Sequence, residues 1–185
     1  FQQVATAADR IPLSIYETTR AKRTLTVEQH RAVHQTVPAY MMVKANAGTI
    51  GCSEDGCRQL SEFVNVFVGE HDWSKLGRVG ANGCCSAMVY WNPRVCLEMW
   101  SALRERRWEE LDRWHDRIAP LYQFLASEFS PRGFTDTAYD RMGGRAGGFL
   151  QTSMRCRAPY CSVTQADVDL LRRWYAGHLP EMLEL

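Results

Sequence analysis

Lys44 sits where an amine could do chemistry. It closes the apolar run Tyr40-Met41-Met42-Val43, and the small, turn-prone run Ala45–Gly51 follows it. Pro38 stands just upstream, where a strand can start. An ammonium is costly to bury unpaired, and burial favours the neutral amine, which attacks carbonyl carbon. On these residues alone, the commoner arrangement is a strand-end lysine reaching solvent. A second constellation is sulfur. Cys52/Cys57 and Cys156/Cys161 are both C-x4-C pairs, a pattern that four-thiolate zinc sites can use. The spacing differs from the common knuckle and the pairs lie far apart in sequence. Seven scattered cysteines therefore read as reduced thiols of a cytoplasmic protein, with no metal.

The elements that would position Lys44 alternate. Phe1–Ala8 has the spacing of the end of an amphipathic helix, and Ile11–Tyr16 is a short apolar strand broken by the polar run Glu17–Arg23. Thr26-Val-Glu-Gln29 is a capping box that opens a helix to about Gln35. The lysine strand follows. Next come helical spacing over Glu54–Phe63, a strand at Asn65–Val68 ending in Gly69, and a short helix over Trp73–Val79. A fourth strand is read over Gly83–Val89, then a helix over Pro93–Glu105 with proline in its first turn. Short, uniformly apolar strands alternating with helices predict a parallel sheet covered on both sides in an α/β fold.

After Arg107 the pattern turns helical. Trp108, Leu111, Trp114, Ile118, Leu121 and Leu125 keep one apolar face, opposite a solvated charged face. Thr135–Met142 reads as another helix, ended by the glycine-rich run Gly143–Gly148, which lacks the spacing of a phosphate loop. Thr164-Gln-Ala-Asp167 caps a last helix to about Tyr175.

With 185 residues, 45% of them hydrophobic, and a formal net charge of +1, the chain reads as about one globular domain. No basic block points to nucleic acid, no apolar run reaches membrane-spanning length, and no signal peptide opens the chain. Its first residue is Phe1, which implies a processed, truncated or incompletely represented N-terminus.

Tyr16 at a strand end, the lysine strand 28 residues later, Val68-Gly69, then Gly83-x-x-Ser86 and Asn92-Pro93 form an ordered set. This order resembles the dihydrodipicolinate synthase and N-acetylneuraminate lyase family of class I aldolases. The late run Arg155-Cys-Arg-Ala-Pro159 followed by Val163-Thr164 is similar to the family's tail. The resemblance implies an α/β fold, a (β/α)8 TIM barrel with a C-terminal helical extension. Residues 1–106 would supply strands five to eight of the barrel, and residues 107–185 the extension. The first four strands, with the threonine pair that holds the substrate carboxylate, have no counterpart in the sequence. A half barrel leaves strand edges and an apolar face open, so the chain is expected to be a fragment or to be completed by another chain or segment.

The resemblance assigns roles residue by residue. Lys44 becomes the Schiff-base nucleophile toward a 2-oxo acid, pyruvate or a sugar acid, and Tyr16 the proton relay. Standing alone, Tyr16 would read as a strand-end aromatic capping the core. Arg20 occupies a position near the family's distal-carboxylate arginine, with Lys22 and Arg23 as competitors. Asn46 would hydrogen-bond the substrate, and Gly69 would let its backbone approach it. Glu70, His71 and Asp72 follow in a loop that reads either as sugar-recognising or as a solvated acidic turn. Cys85 and Ser86 would line the oxo acid from the eighth strand, although Cys85 also reads as a small packing residue. His30, His34, His115 and His178 receive no role. No cofactor is required, because the lysine is itself the electron sink. The family pattern also implies a homo-oligomer, dimer or tetramer, with the aromatic late helices as a possible interface.

Two departures bear on the reaction. The family's Tyr-Asn is here Tyr16-Glu17-Thr18-Thr19, and the residues after the lysine are Ala45-Asn46. These favour a member acting on another 2-oxo acid, as an aldolase or dehydratase, over 4-hydroxy-tetrahydrodipicolinate synthase proper. A non-catalytic homologue that binds a 2-oxo acid, or an inactive fragment, is the alternative from a different class.

Overall fold

A computed structural model describes residues 1–9 and 11–185. The chain divides into two compact units, Phe1–Cys85 and Ser86–Leu185. The first unit runs α1 (Gln2–Ala8), β1 (Leu13–Tyr16), α2 (Val27–Thr36), β2 (Tyr40–Lys44), α3 (Glu54–Leu60), β3 (Asn65–Val68), α4 (Trp73–Leu76) and β4 (Ala81–Cys84). The four strands form one parallel sheet in the order β1-β2-β3-β4, so α2, α3 and α4 lie in crossovers between sequential neighbours.

Coverage of the sheet is one-sided. Val43, Val66, Val68 and Ala81 are buried with Leu60 and Leu76 of the helices. Strand β1 instead alternates, with Leu13 and Ile15 half-buried and Ser14 and Tyr16 exposed. The expectation of strands covered on both faces holds for one face. The period of two in β1 sends its polar and aromatic side chains to the other.

Helix α2 starts as its sequence dictates. The Thr26 hydroxyl accepts from the Gln29 N–H at 3.3 Å, and the Gln29 carbonyl oxygen accepts from the Thr26 N–H at 3.0 Å. Such a cap contributes about 1 kcal/mol. Its buried side carries Val27 and the fully buried His30.

The fourth strand is a correction. It spans Ala81–Cys84 rather than Gly83–Val89, and Cys85 and Ser86 follow it instead of lying on it. The Ser86 hydroxyl accepts from the Val89 N–H at 3.1 Å and starts a helical turn, so Met88–Trp91 is helix. Apolar residues there keep helical spacing, with Met88, Trp91 and Val95 buried.

The second unit is helical: α5 (Met88–Trp91), α6 (Pro93–Arg104), α7 (Trp108–Glu128), α8 (Asp136–Gly147) and α9 (Gln165–His178). Residues 106 and 107 lie within it, between α6 and α7. Helix α7 continues through Pro120, whose ring denies the Asp116 carbonyl its helical donor. Both residues are exposed, so that carbonyl faces solvent.

Helix α8 is the second correction, since it runs through the glycines that were expected to end it. A Cβ at Gly143 would lie 2.2 Å from the Trp91 ring, and one at Gly147 would lie 1.9 Å from the Trp91 carbonyl oxygen. The glycines let α8 and α5 touch backbone to backbone. Gly148, at φ 88°, makes the left-handed turn that stops the helix.

Candidate active site

Parallel pairing puts the chemistry-bearing residues in one row at the C-terminal end of the sheet. Tyr16 pairs with Lys44, Lys44 with Phe67, and Phe67 with Gly83. Residues in register on neighbouring strands point to the same face. The Lys44 Nζ lies 4.9 Å from the centre of the Tyr16 ring, a cation–π distance. On its other side stands Phe67, whose ring fills the space a Cβ at Gly83 would occupy, 2.2 Å from the nearest ring atom. Lys44 is thus half-buried in an aromatic slot rather than splayed into water.

Its amine is held. The Lys44 ammonium donates to the Asn46 side-chain oxygen Oδ1, and the Asn46 side-chain N–H in turn donates to the main-chain carbonyl of Glu17. The Asn46 N–H and carbonyl close a tight turn with the Thr49 hydroxyl at 3.2 and 2.8 Å. The Glu17 N–H donates to the Lys44 carbonyl at 2.9 Å, extending the β1–β2 ladder by one rung.

The predicted residues do not all converge. Lys44, Tyr16 and Asn46 come together. Arg20 lies in the short 3-10 turn Thr19–Ala21 and is exposed. Gly69 follows β3 with an ordinary extended backbone, and a Cβ there would lie 2.6 Å from the His71 ring. Glu70, one reading of which was a solvated turn, is 2% exposed, and the Cys84 thiol donates to it at 3.2 Å. Cys85 is exposed, and the Ser86 hydroxyl lies 3.6 Å from the Cys96 sulfur.

Two residues escaped the sequence reading. Glu17, only 4% exposed, sits behind Tyr16. One of its carboxylate oxygens accepts from the Leu25 N–H at 2.7 Å, and the other faces His30 Nε2 at 3.3 Å. The remaining nitrogen of His30, Nδ1, lies 2.8 Å from the Tyr40 hydroxyl. Burial pushes the His30 pKa down against the opposing pull of Glu17. A neutral ring then accepts at Nδ1 from Tyr40, whose own pKa burial raises, while Nε2 lies against the Glu17 carboxylate. Helical spacing from Val27 would have placed His30 on the buried side, and strand alternation after Tyr16 would have turned Glu17 inward.

Burial also raises the Cys52 and Cys57 thiols to about 11, with Asp72 adding to the effect at Cys52 and Lys44 opposing it. Protonated thiols are poor metal ligands. Among the described residues, no group of three or more His, Cys, Asp and Glu side chains is arranged to hold a metal ion. Nor is any described helix long and apolar enough to cross a membrane.

Comparison with known proteins agrees with this geometry. The model of the dihydrodipicolinate synthetase family matches residues 1–174. Among solved structures, the chain is similar to YagE, a prophage protein of the dihydrodipicolinic acid synthase family from E. coli K12 in complex with pyruvate. The TM-score is 0.78 at 15% identity, over 96% of this chain and 59% of that one. It is also similar to PhdJ bound to a substrate intermediate, with TM-score 0.74 at 22% identity over 97% and 58% of the two chains. The dihydrodipicolinate synthase from Aquifex aeolicus gives TM-score 0.72 at 19% identity over 95% and 57%. The chain therefore spans less than two thirds of the length of these relatives. A comparison with curated proteins gives no match.

Proposed function

Because the chain belongs to the dihydrodipicolinate synthetase family, we propose that it carries the Schiff-base half of a class I lyase acting on a 2-oxo acid. In this reading the four parallel strands are strands five to eight of a (β/α)8 barrel, and the late helices are its C-terminal extension. Coverage of slightly under three fifths of each structural relative supports that reading. So does the placement of the chemical residues at the C-terminal end of the strands, where barrels of this kind bind substrate.

The observation that carries the proposal is the pairing of Tyr16 with Lys44 in register, with the lysine amine against the phenol ring. The neutral Lys44 amine attacks the ketone carbon, and a C–N bond forms as the carbonyl oxygen takes a proton. Tyr16 then donates a proton to that hydroxyl, which leaves as water, and the nitrogen lone pair makes the iminium. The iminium accepts the electron pair of a C–C or C–H bond broken beside it and becomes an enamine; where a C–O bond is to be cleaved, the enamine returns that pair and the oxygen leaves with the electrons of its own bond. Tyr16, as phenolate, recovers its proton in the following step. Asn46, Arg20 and the Gly69 backbone are assigned to substrate, as are Cys85 and Ser86. Pyruvate, the ligand of the YagE complex, is the first candidate.

Borohydride reduction in the presence of pyruvate tests this. The chain has three lysines, Lys22, Lys44 and Lys75, so peptide mass spectrometry assigns an adduct without ambiguity. The expected result is a reduced pyruvyl adduct on Lys44 alone. Absence of the adduct with pyruvate and with longer 2-oxo acids would favour the non-catalytic homologue.

A further inference from the structure

We propose that Glu17 and His30 are positioning residues for the nucleophile, acting on the Lys44 amine through the Glu17 main chain and Asn46. The inference rests on Lys44 being the reacting amine. The connection is continuous. Tyr40 and Lys44 are the first and last residues of β2, and His30 on α2 is tied to the start of that strand through the Tyr40 hydroxyl at 2.8 Å. Its other nitrogen meets the Glu17 carboxylate at 3.3 Å. Glu17 is thereby fixed at the end of β1, and its second carboxylate oxygen fastens the returning loop at Leu25. The Glu17 main chain is also held by its own N–H on the Lys44 carbonyl, and its carbonyl takes the Asn46 side-chain amide N–H.

That choice decides which end of Asn46 faces the lysine. An amide has a donor end and an acceptor end, and once the donor end is spent on Glu17, only the oxygen remains for Lys44. An acceptor on one amine proton leaves the nitrogen lone pair directed away from Asn46. A donor in its place would compete for that lone pair. Structural need alone does not explain a fully buried histidine and a 4% exposed glutamate behind this contact. The glutamate answers the Leu25 N–H, but no chain end calls for the histidine beside it. Their placement directly behind the side chain that takes the lysine's hydrogen bond, with Glu17 one residue from Tyr16, points to orientation of the amine.

The test uses the full chain with two readouts. The first is the borohydride trapping rate at saturating pyruvate, with the half-saturating concentration determined separately. The second is the rate at which acetic anhydride labels Lys44 relative to Lys22 and Lys75, which needs no 2-oxo acid. Asn46→Ala, Glu17→Ala and His30→Ala are expected to lower the trapping rate by about tenfold. They should leave half-saturation near its original value and shift the Lys44 labelling ratio in one common direction. The Glu17→Ala/Asn46→Ala double variant should be no slower than Asn46→Ala, because both act through one contact. Glu17→Gln and His30→Gln, which can keep the buried hydrogen bonds, should recover most of both readouts and cover the case of an alanine variant that does not fold. The proposal is overturned if folded Glu17 and His30 variants keep the wild-type labelling ratio while Asn46→Ala changes it, or if the losses in the double variant multiply. If no variant, wild type included, forms an adduct, the Schiff-base reading fails, and the labelling ratios still decide whether Glu17 and His30 set the lysine's orientation.

Discussion

The two compact units bury polar side chains for different reasons. In the helical unit the buried Asn92 and Asp167 answer to the backbone. Asn92, fully buried, accepts from the Val95 N–H at 3.2 Å to start α6, and donates to the carbonyls of Glu181 and Glu184 at 3.0 and 2.8 Å. Asp167 closes the capping box of α9 with the N–H and hydroxyl of Thr164 at 2.8 and 2.7 Å, and meets Arg132 at 2.7 Å. These residues finish chain ends, and no chemistry is left over. In the sheet unit, Glu17 spends one oxygen on a loop N–H and turns the other to a histidine. His30 serves no chain end. Polar burial that the backbone does not require is the mark of a site, and here it lies behind Lys44.

This contrast can be broken by experiment, starting with the largest effect. Lys44→Ala should abolish adduct formation with pyruvate entirely while changing unfolding free energy by less than about 1 kcal/mol. Mass spectrometry and denaturant titration read the two halves. Gly147→Ala should do the reverse. Its methyl group would collide with the Trp91 carbonyl, so we expect a loss of about 3 kcal/mol with the adduct retained on the folded fraction. Asn92→Ala strips one N–H and two carbonyls of their partners and should cost about 2 kcal/mol. If it also slowed trapping per folded molecule, the division between the two kinds of buried polar group would fall.

The smallest effect is a pH dependence. The folded-state pKa of His30 lies below the ordinary 6.5, chiefly through burial. Between those two values the unfolded chain binds more protons than the folded one, so stability rises with pH. The contribution is complete above about 6.5 and is lost as pH falls toward the depressed value. Midpoints of urea unfolding across pH 5 to 7.5 should show this slope, and a His30→Gln variant should flatten it.

Much of this was legible in the sequence because it is local. The first three strands and the parallel α/β pattern followed from short apolar runs separated by helical spacing, and Thr26 and Thr164 cap their helices as their motifs require. Lys44 stood out because a lysine is unusual at the end of an apolar run, and Tyr16 through its place in the order that resembles the family. What stayed hidden depends on contacts remote in sequence. Nothing near Ser86 reveals that its hydroxyl opens a helix instead of continuing a strand. The glycines of α8 look like a stop until Trp91 is placed against them. Glu17 and His30 are thirteen positions apart and gain meaning only when α2 packs behind β1.

Helix α8 has one more consequence. Three of its twelve residues, Gly143, Gly144 and Gly147, are glycine. Each costs about 1 kcal/mol against alanine in a helix interior, and a helix of this length is already marginal in isolation. Left alone, the segment would be coil, so its order is borrowed from the helices packed on it, α5 and α9. Its amide hydrogens are therefore expected to exchange with solvent together, when Trp91 lets go, rather than by fraying one at a time from the ends.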